Sequence, residues 1–151
     1  MTRLPGCWGV SCKRQKLAAG WAAPSKSCCC KPWRSSRSER TRDETGPYLA
    51  AKWRQIAEHP LVGEARSIGL IGALELVRDK GSRRFFDPRG EVGTICRDFC
   101  FQNGLIMRAV RDTLIISPPL VINREQVDEL AEKAWRCLDL TLQRCRAEGR
   151  I

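Results

Sequence analysis

At about residue 40 the chain changes character, and the break decides which part of it can fold. Residues 1–40 hold nine Lys and Arg against one acid, Glu39, a net charge of +8. Residues 41–151 hold 18 basic and 16 acidic residues, a net charge of +2. Taken whole, a charge of +10 points to nucleic acid or an acidic surface as partner. The split removes most of that inference, because the body is nearly balanced and only a leader is basic. In the leader, Gly, Pro, Ser, Lys and Trp follow one another with no helical or strand period. Trp8, Trp21 and Trp33 stand without an apolar pattern around them. Aromatic residues among cations can stack on bases, but no folded scaffold or nucleic-acid motif accompanies them, so nucleic acid is disfavoured as a partner. With few aliphatic residues to bury, residues 1–40 are expected to be disordered or loosely attached.

Residues 41–151 read as a folded body. Thr45 is placed to cap a helix with Pro47 near its first turn, where proline is tolerated. Tyr48, Leu49, Ala51, Lys52, Ile56 and Ala57 carry the helical spacing on to His59-Pro60, which stops it. Leu61–Arg66 and Leu70–Val77 read as two strands joined by a turn at 67–69. A polar loop, Asp79–Gly90, is broken by Phe85-Phe86. Glu91–Asn103 is expected to be a helix with Val92, Ile95, Cys96, Phe99 and Cys100 on one face, ended by a left-handed Gly104. Strands follow at Leu105–Met107 and Thr113–Ile116, with a turn over 109–112. Asn123 and Gln126 form a capping box for the last helix. Its stripe is Val127, Leu130, Ala131, Ala134, Trp135, Leu138 and Leu142. The order α-ββ-α-ββ-α describes an α+β fold, an antiparallel sheet packed with helices.

Several classes of chemistry are absent from the pattern. No run of 18 apolar residues exists to span a membrane, and no secretory signal precedes the body. Nine cysteines without such a signal point to reduced thiols and a cytoplasmic location. No CxxC pair occurs, and Cys28-Cys29-Cys30 is contiguous, so no metal site is expected. Cys96 and Cys100, four apart on an apolar helix face, read as core packing. His59 is the one histidine, and at a helix end it reads as a surface or cap residue rather than a base. No nucleophile elbow, phosphate loop or zinc-protease motif is present.

The informative stretch is GLIMRAVRDTLIISPPL, residues 104–120. It sets Arg108 at the end of one β segment, before a turn, a second strand and Pro118-Pro119. An arginine held there can offer two parallel N–H groups to a carboxylate, a fork that lysine cannot copy. From spacing alone the favoured reading is a surface arginine paired with Asp112 or a helix end.

GLIMRAVRDTLIISPPLVI, preceded by HPLVGEARSIGLIGALELV and FDPRGEVGTICRDFCFQNG, resembles the C-terminal region of class III aminotransferases, the ω-amino acid:pyruvate branch above all. The likeness starts near ERTRDETGPYLAAKWR and runs to the end. It implies that residues 41–151 are the C-terminal small domain of a fold-type-I enzyme, and that members dimerise, with sites at the subunit interface. It implies amino transfer from an amine or amino acid to a keto acid such as pyruvate, with pyridoxal phosphate as cofactor. It also implies that Arg108, in the arginine position of the family's GLIxRAxGD motif, binds the substrate carboxylate. Arg111 stands where that motif has glycine.

None of Lys13, Lys16, Lys26, Lys31, Lys52, Lys80 and Lys133 stands in the context of the family's Schiff-base lysine, and the phosphate-binding Gly-Ser segment is absent. No catalytic or cofactor-binding residue is therefore expected in this chain, and by itself it is expected neither to bind the cofactor nor to transaminate. Residues 1–40 do not resemble the family. The jump in charge at their end suggests an out-of-frame reading ahead of a truncated or frameshifted gene. The alternatives are a split aminotransferase whose large domain is a separate chain and, ranked below it, a small binding module whose basic leader contacts nucleic acid.

Overall fold

The computed structural model describes residues 37–151. The disordered leader expected over residues 1–40 falls, up to residue 36, outside the described residues. Seven elements follow in the expected order: three helices and two hairpins.

Helix α1 spans Arg37–Ile56 and carries Pro47 inside it. It begins well before Thr45, so Thr45 is not its cap. Thr45 instead lies within the helix, only 7% exposed. Arg and Glu in the preceding stretch are good helix formers, and continuing the helix turns Thr45, Leu49, Trp53 and Ile56 onto one buried stripe. Trp53 Nε1 donates to the Ala73 carbonyl at 3.1 Å, fastening the helix to the sheet. Beyond the helix, Lys80 Nζ donates to the Ala57 carbonyl at 2.5 Å, where the last carbonyls lack helical partners.

Strands β1 (Val62–Ile68) and β2 (Ile71–Leu76) form the first hairpin. Strand β1 runs through the expected turn as far as Ile68, which pairs with Ile71. The turn is therefore two residues, Gly69-Leu70, with Gly69 at φ 56. Two-residue hairpin turns need positive φ at their first position, which glycine adopts freely. Helix α2 (Glu91–Gln102) buries Val92, Gly93, Cys96 and Cys100, and Gly104 follows at φ 69. Ile95 and Phe99, expected on its buried face, are only partly buried.

Strand β3 covers Arg108–Val110 and β4 covers Thr113–Ile116. The expected strand at Leu105–Met107 is displaced: Leu105 and Met107 are core anchors, and pairing starts at Arg108. Register explains the shift. Val110 pairs with Thr113 across a two-residue turn, so the ladder is counted back from Arg111-Asp112 and covers the three residues before it.

Helix α3 (Arg124–Ala147) opens with the expected capping box between Asn123 and Gln126. Its buried stripe contains Cys137, Thr141 and Cys145, whereas Trp135, expected there, is 38% exposed. The stripe over a helix of this length is wide enough to take small residues, and the large indole sits at its margin. Trp135 meets the His59 ring edge-on at 5.2 Å.

The four strands form one antiparallel sheet in the order β1-β2-β4-β3. Leu74, Leu76, Leu114 and Ile116 point to the helices and are buried. The alternating residues point to the opposite, open face, where Ile68 is 79% and Ile71 49% exposed. The fold is thus helices on one side of an antiparallel sheet, as the sequence pattern implied. No helix among the described residues is long and apolar enough to cross a membrane.

Candidate functional site

Arg108 opens β3, an edge strand of three residues, and is exposed. It faces Ile115 across the ladder, and Ile115 faces Ala73, which faces Arg66. Directly paired residues project to the same side of a sheet. Arg66, Ala73, Ile115 and Arg108 therefore form one cross-strand row on the open face. Three interstrand steps separate the arginines, about 14 Å. Arg66 lies 3.6 Å from Glu75 and 3.9 Å from Glu64, so its charge is partly answered. Arg108 has no hydrogen bond or ion pair with any described residue. In particular it does not pair with Asp112, the reading that spacing alone favoured.

Asp112 has other work. It is 5% exposed. Its carboxylate accepts the N–H of Gly90 at 2.9 Å and of Gly93 at 3.0 Å. Gly90 is the N-cap of α2 and has no side chain to accept from the helix. Asp112 supplies that acceptor from across the fold, and a carboxylate is favoured at a helix N-terminus. Its backbone carbonyl also accepts from Leu76 N at 2.8 Å. One residue thus joins the β3–β4 turn to α2 and to β2, and fixes the strand that carries Arg108. Gly93 makes the closeness possible: a Cβ there would lie 2.0 Å from the Arg111 carbonyl oxygen. No linear motif announces this role.

Arg111, the first residue of the turn, has φ 54. For a residue with a Cβ the left-handed region costs roughly 1–2 kcal/mol. Arg111 lines a cleft against α2 and the end of α3, together with Ala109, which faces the helices. Arg108 does not line that cleft. The structure therefore sets the two arginines on different surfaces.

His59 is not at the surface. It is 1% exposed. Nδ1 accepts the Leu61 N–H at 3.2 Å, and Nε2 lies 3.2 Å from Asp139 Oδ1. The proton of the neutral ring therefore sits on Nε2. Burial, against the pull of Asp139, lowers its pKa below the ordinary value. The chain doubles back at Pro60, so the ring is enclosed between the end of α1 and α3, and its role is structural. Cys96, Cys100, Cys137 and Cys145 are free and buried. A hydrogen bond to Cys137, another to Cys96, and burial hold the Cys100 thiol far above its usual pKa, so it is no nucleophile. Among the described residues no group of three or more His, Cys, Asp and Glu is placed to hold a metal ion.

The described lysines do not fit a Schiff-base role. Lys52 is 2.7 Å from Asp128, which raises its pKa and keeps it a protonated cation. Lys133 is 2.7 Å from Glu129, and Lys80 is bound to backbone carbonyls. None combines a free amine with an enclosed, ring-sized cavity.

No protein-family model matches the chain. It is 57% identical over 103 residues to the putrescine–pyruvate aminotransferase of Pseudomonas aeruginosa, covering 68% of this chain and 22% of that protein. It is 37% identical over 111 residues to the diaminobutyrate–2-oxoglutarate transaminase of Halomonas elongata, covering 72% and 24%. Among solved structures it resembles an omega-transferase from Vibrio fluvialis, with a TM-score of 0.70 and 31% identity over 73% of this chain and 26% of that one. A pyridoxal-phosphate-bound aminotransferase mutant from Vibrio fluvialis matches with a TM-score of 0.68 and 30% identity, over 71% and 24%. The chain spans about a quarter of the length of these relatives. Sequence and fold agree across the described residues, and the chain belongs to the class III pyridoxal-phosphate-dependent aminotransferases, matching their C-terminal region.

Proposed function

We propose that residues 41–151 are the small domain of an aminotransferase and that Arg108 receives the carboxylate of its amino-acid or keto-acid substrate. The whole enzyme then moves an amino group from an amine or amino acid to a keto acid such as pyruvate. The observation that carries this reading is Arg108 itself: an exposed residue with no hydrogen bond or ion pair among the described residues, at the edge of an open sheet face, in the arginine position of the family motif. Its likeness to a relative named for pyruvate supports the acceptor.

In this reading the backbone of Arg108 is held by the Ile115 pairing and by the turn that Asp112 anchors, while its long side chain is free to reach a ligand. Two N–H groups of the guanidinium can then grip both carboxylate oxygens. Pyridoxal phosphate, when bound, supplies the carrier for the amino group. The described lysines do not fit it, and on this reading the lysine and the phosphate cradle lie in a large domain outside the described residues. On this reading the chain alone does not transaminate. A cleft of about 1150 Å³ is bordered by Pro47, Ile68, Ile71, Pro118, Pro119 and Leu120. That apolar rim suits packing against the large domain and, in the dimer, a second subunit. Four free buried thiols favour a reducing, cytoplasmic setting.

The test is to graft residues 41–151 onto the large domain of a related aminotransferase and follow single half-reactions. Losing one member of a buried charged pair costs about 2–5 kcal/mol, or roughly 30- to 4,000-fold in specificity. Arg108→Ala is expected to impair the half-reaction with pyruvate or alanine by that order and to spare a simple aryl-alkyl amine. Equal losses for both substrate types would make Arg108 a structural residue.

A further inference from the structure

The cleft beside Arg111 lies between the start of α2, the end of α3 and the β3–β4 turn, and measures about 620 Å³. Four arginines line it, Arg89, Arg111, Arg144 and Arg150, against two glutamates, Glu91 and Glu148. Both glutamates are engaged locally. Glu148 pairs with Arg144 and, at 2.6 Å, with Arg150, and Arg150 also reaches Glu91 at 2.5 Å. Arg89 and Arg111 form no ion pair with any described residue.

The backbone next to Arg89 runs close to that of Arg111, and both residues line the same cleft. A Cβ on Gly90, the residue after Arg89, would lie 3.4 Å from Arg111 Cα. The Arg89 guanidinium is seated over the Phe85 ring, 4.3 Å from its centre, an arrangement that orients a cation without neutralising it. Arg111 is kept in a left-handed conformation that a side chain disfavours. Local strain of this kind persists where the surrounding structure enforces it, and it tends to gather at sites that bind. The helix end is not the attraction, because the Asp112 carboxylate already occupies the N–H groups of Gly90 and Gly93. What remains, among the described residues, is a pair of guanidinium groups without an ion-pair partner in a concave wall whose other two arginines are balanced by Glu91 and Glu148.

We propose that this cleft binds a phosphate group, either as inorganic phosphate or as the monoester of a small molecule. Two guanidinium forks match a doubly charged tetrahedral oxyanion in both charge and geometry. A monocarboxylate offers one charge and two oxygens in a plane, and would leave one fork unused. The site is distinct from the open sheet face and does not depend on Arg108.

The test uses the full chain. Inorganic phosphate and phenyl phosphate are titrated separately against it by calorimetry at constant ionic strength, with acetate as the monocarboxylate control. Saturable 1:1 binding of one or both phosphates is expected, with acetate weaker by about tenfold or more. Tighter phenyl phosphate assigns the site to a monoester, and equal or weaker binding assigns it to free phosphate. Arg111→Gly and Arg89→Ala should each weaken phosphate at least about tenfold. Arg136→Ala, which removes an exposed α3 cation outside the cleft, should not change it. Arg111→Gly relaxes the turn, so a loss of binding there cannot be blamed on unfolding. Absence of saturable phosphate binding would overturn the proposal. So would unchanged affinity in Arg111→Gly, or an equal loss in Arg136→Ala.

Discussion

The Asp112 carboxylate accepts the backbone N–H of Gly93 at 3.0 Å, across nineteen residues of chain. With the bond to Gly90 it supplies the cap that the first turn of α2 lacks locally. Asp112→Ala should therefore leave two N–H groups without an acceptor. A lost cap costs about 0.5–2 kcal/mol, and an unsatisfied buried donor about 1–3 kcal/mol. A loss of about 2–3 kcal/mol is expected in urea unfolding, with Asp112→Asn intermediate because one amide oxygen remains. A change under about 0.5 kcal/mol would show that the carboxylate is not the cap.

Arg111→Gly should stabilise the chain. Glycine enters the left-handed region without a steric cost but loses more backbone entropy on folding, and the two effects partly cancel. A net gain of about 0.5–1 kcal/mol is expected. A lower urea midpoint in this variant would mean that Arg111 makes contacts worth more than its strain.

Arg108→Ala should leave stability within about 0.5 kcal/mol of the parent, because it removes an exposed side chain that pairs with nothing described. Thermal melts of the two proteins should nearly overlay. A marked loss of stability would assign Arg108 to the scaffold.

His59 gives the fold a pH dependence of definite sign. Burial lowers its pKa in the folded chain, so on acidification the unfolded chain takes up the proton first. The stability associated with the neutral ring is fully present above the ordinary histidine value of 6.5 and falls as the pH drops below it. Melting temperature should decline from pH 7.5 to 5.5, above the usual titration range of carboxylates. In His59→Gln that decline should flatten. An unchanged slope would place its origin elsewhere.

The order of helices and hairpins was legible because each element carries its own period and its own stop signal. The Asn123–Gln126 box and Gly104 are local devices, and they appear where the residues put them. The part that could not be read depends on contacts between distant segments. Nothing in Asp112 alone names Gly90 and Gly93 as its partners. The start of β3 is set by the turn after it rather than by the apolar residues before it. His59-Pro60 did announce a helix end, but only the return of the chain against α3 buries the ring. The cleft is a similar case: Arg89, Arg111, Arg144 and Arg150 are scattered through the sequence, and only the fold brings them to one wall.

The strand order β1-β2-β4-β3 also has a kinetic consequence. Each outer strand joins its inner neighbour through a two-residue turn, so the two hairpins are local and can close on the microsecond scale. The β2–β4 pairing is different in kind, because the whole of α2 and its flanking loops lies between them. Its loop-closure entropy is the largest in the sheet, and contacts of that range slow folding. Leu74 and Leu114 face each other across that seam. Folding speed is thus governed where the two hairpins meet, while the turns that carry Gly69 and Arg111 set register beforehand.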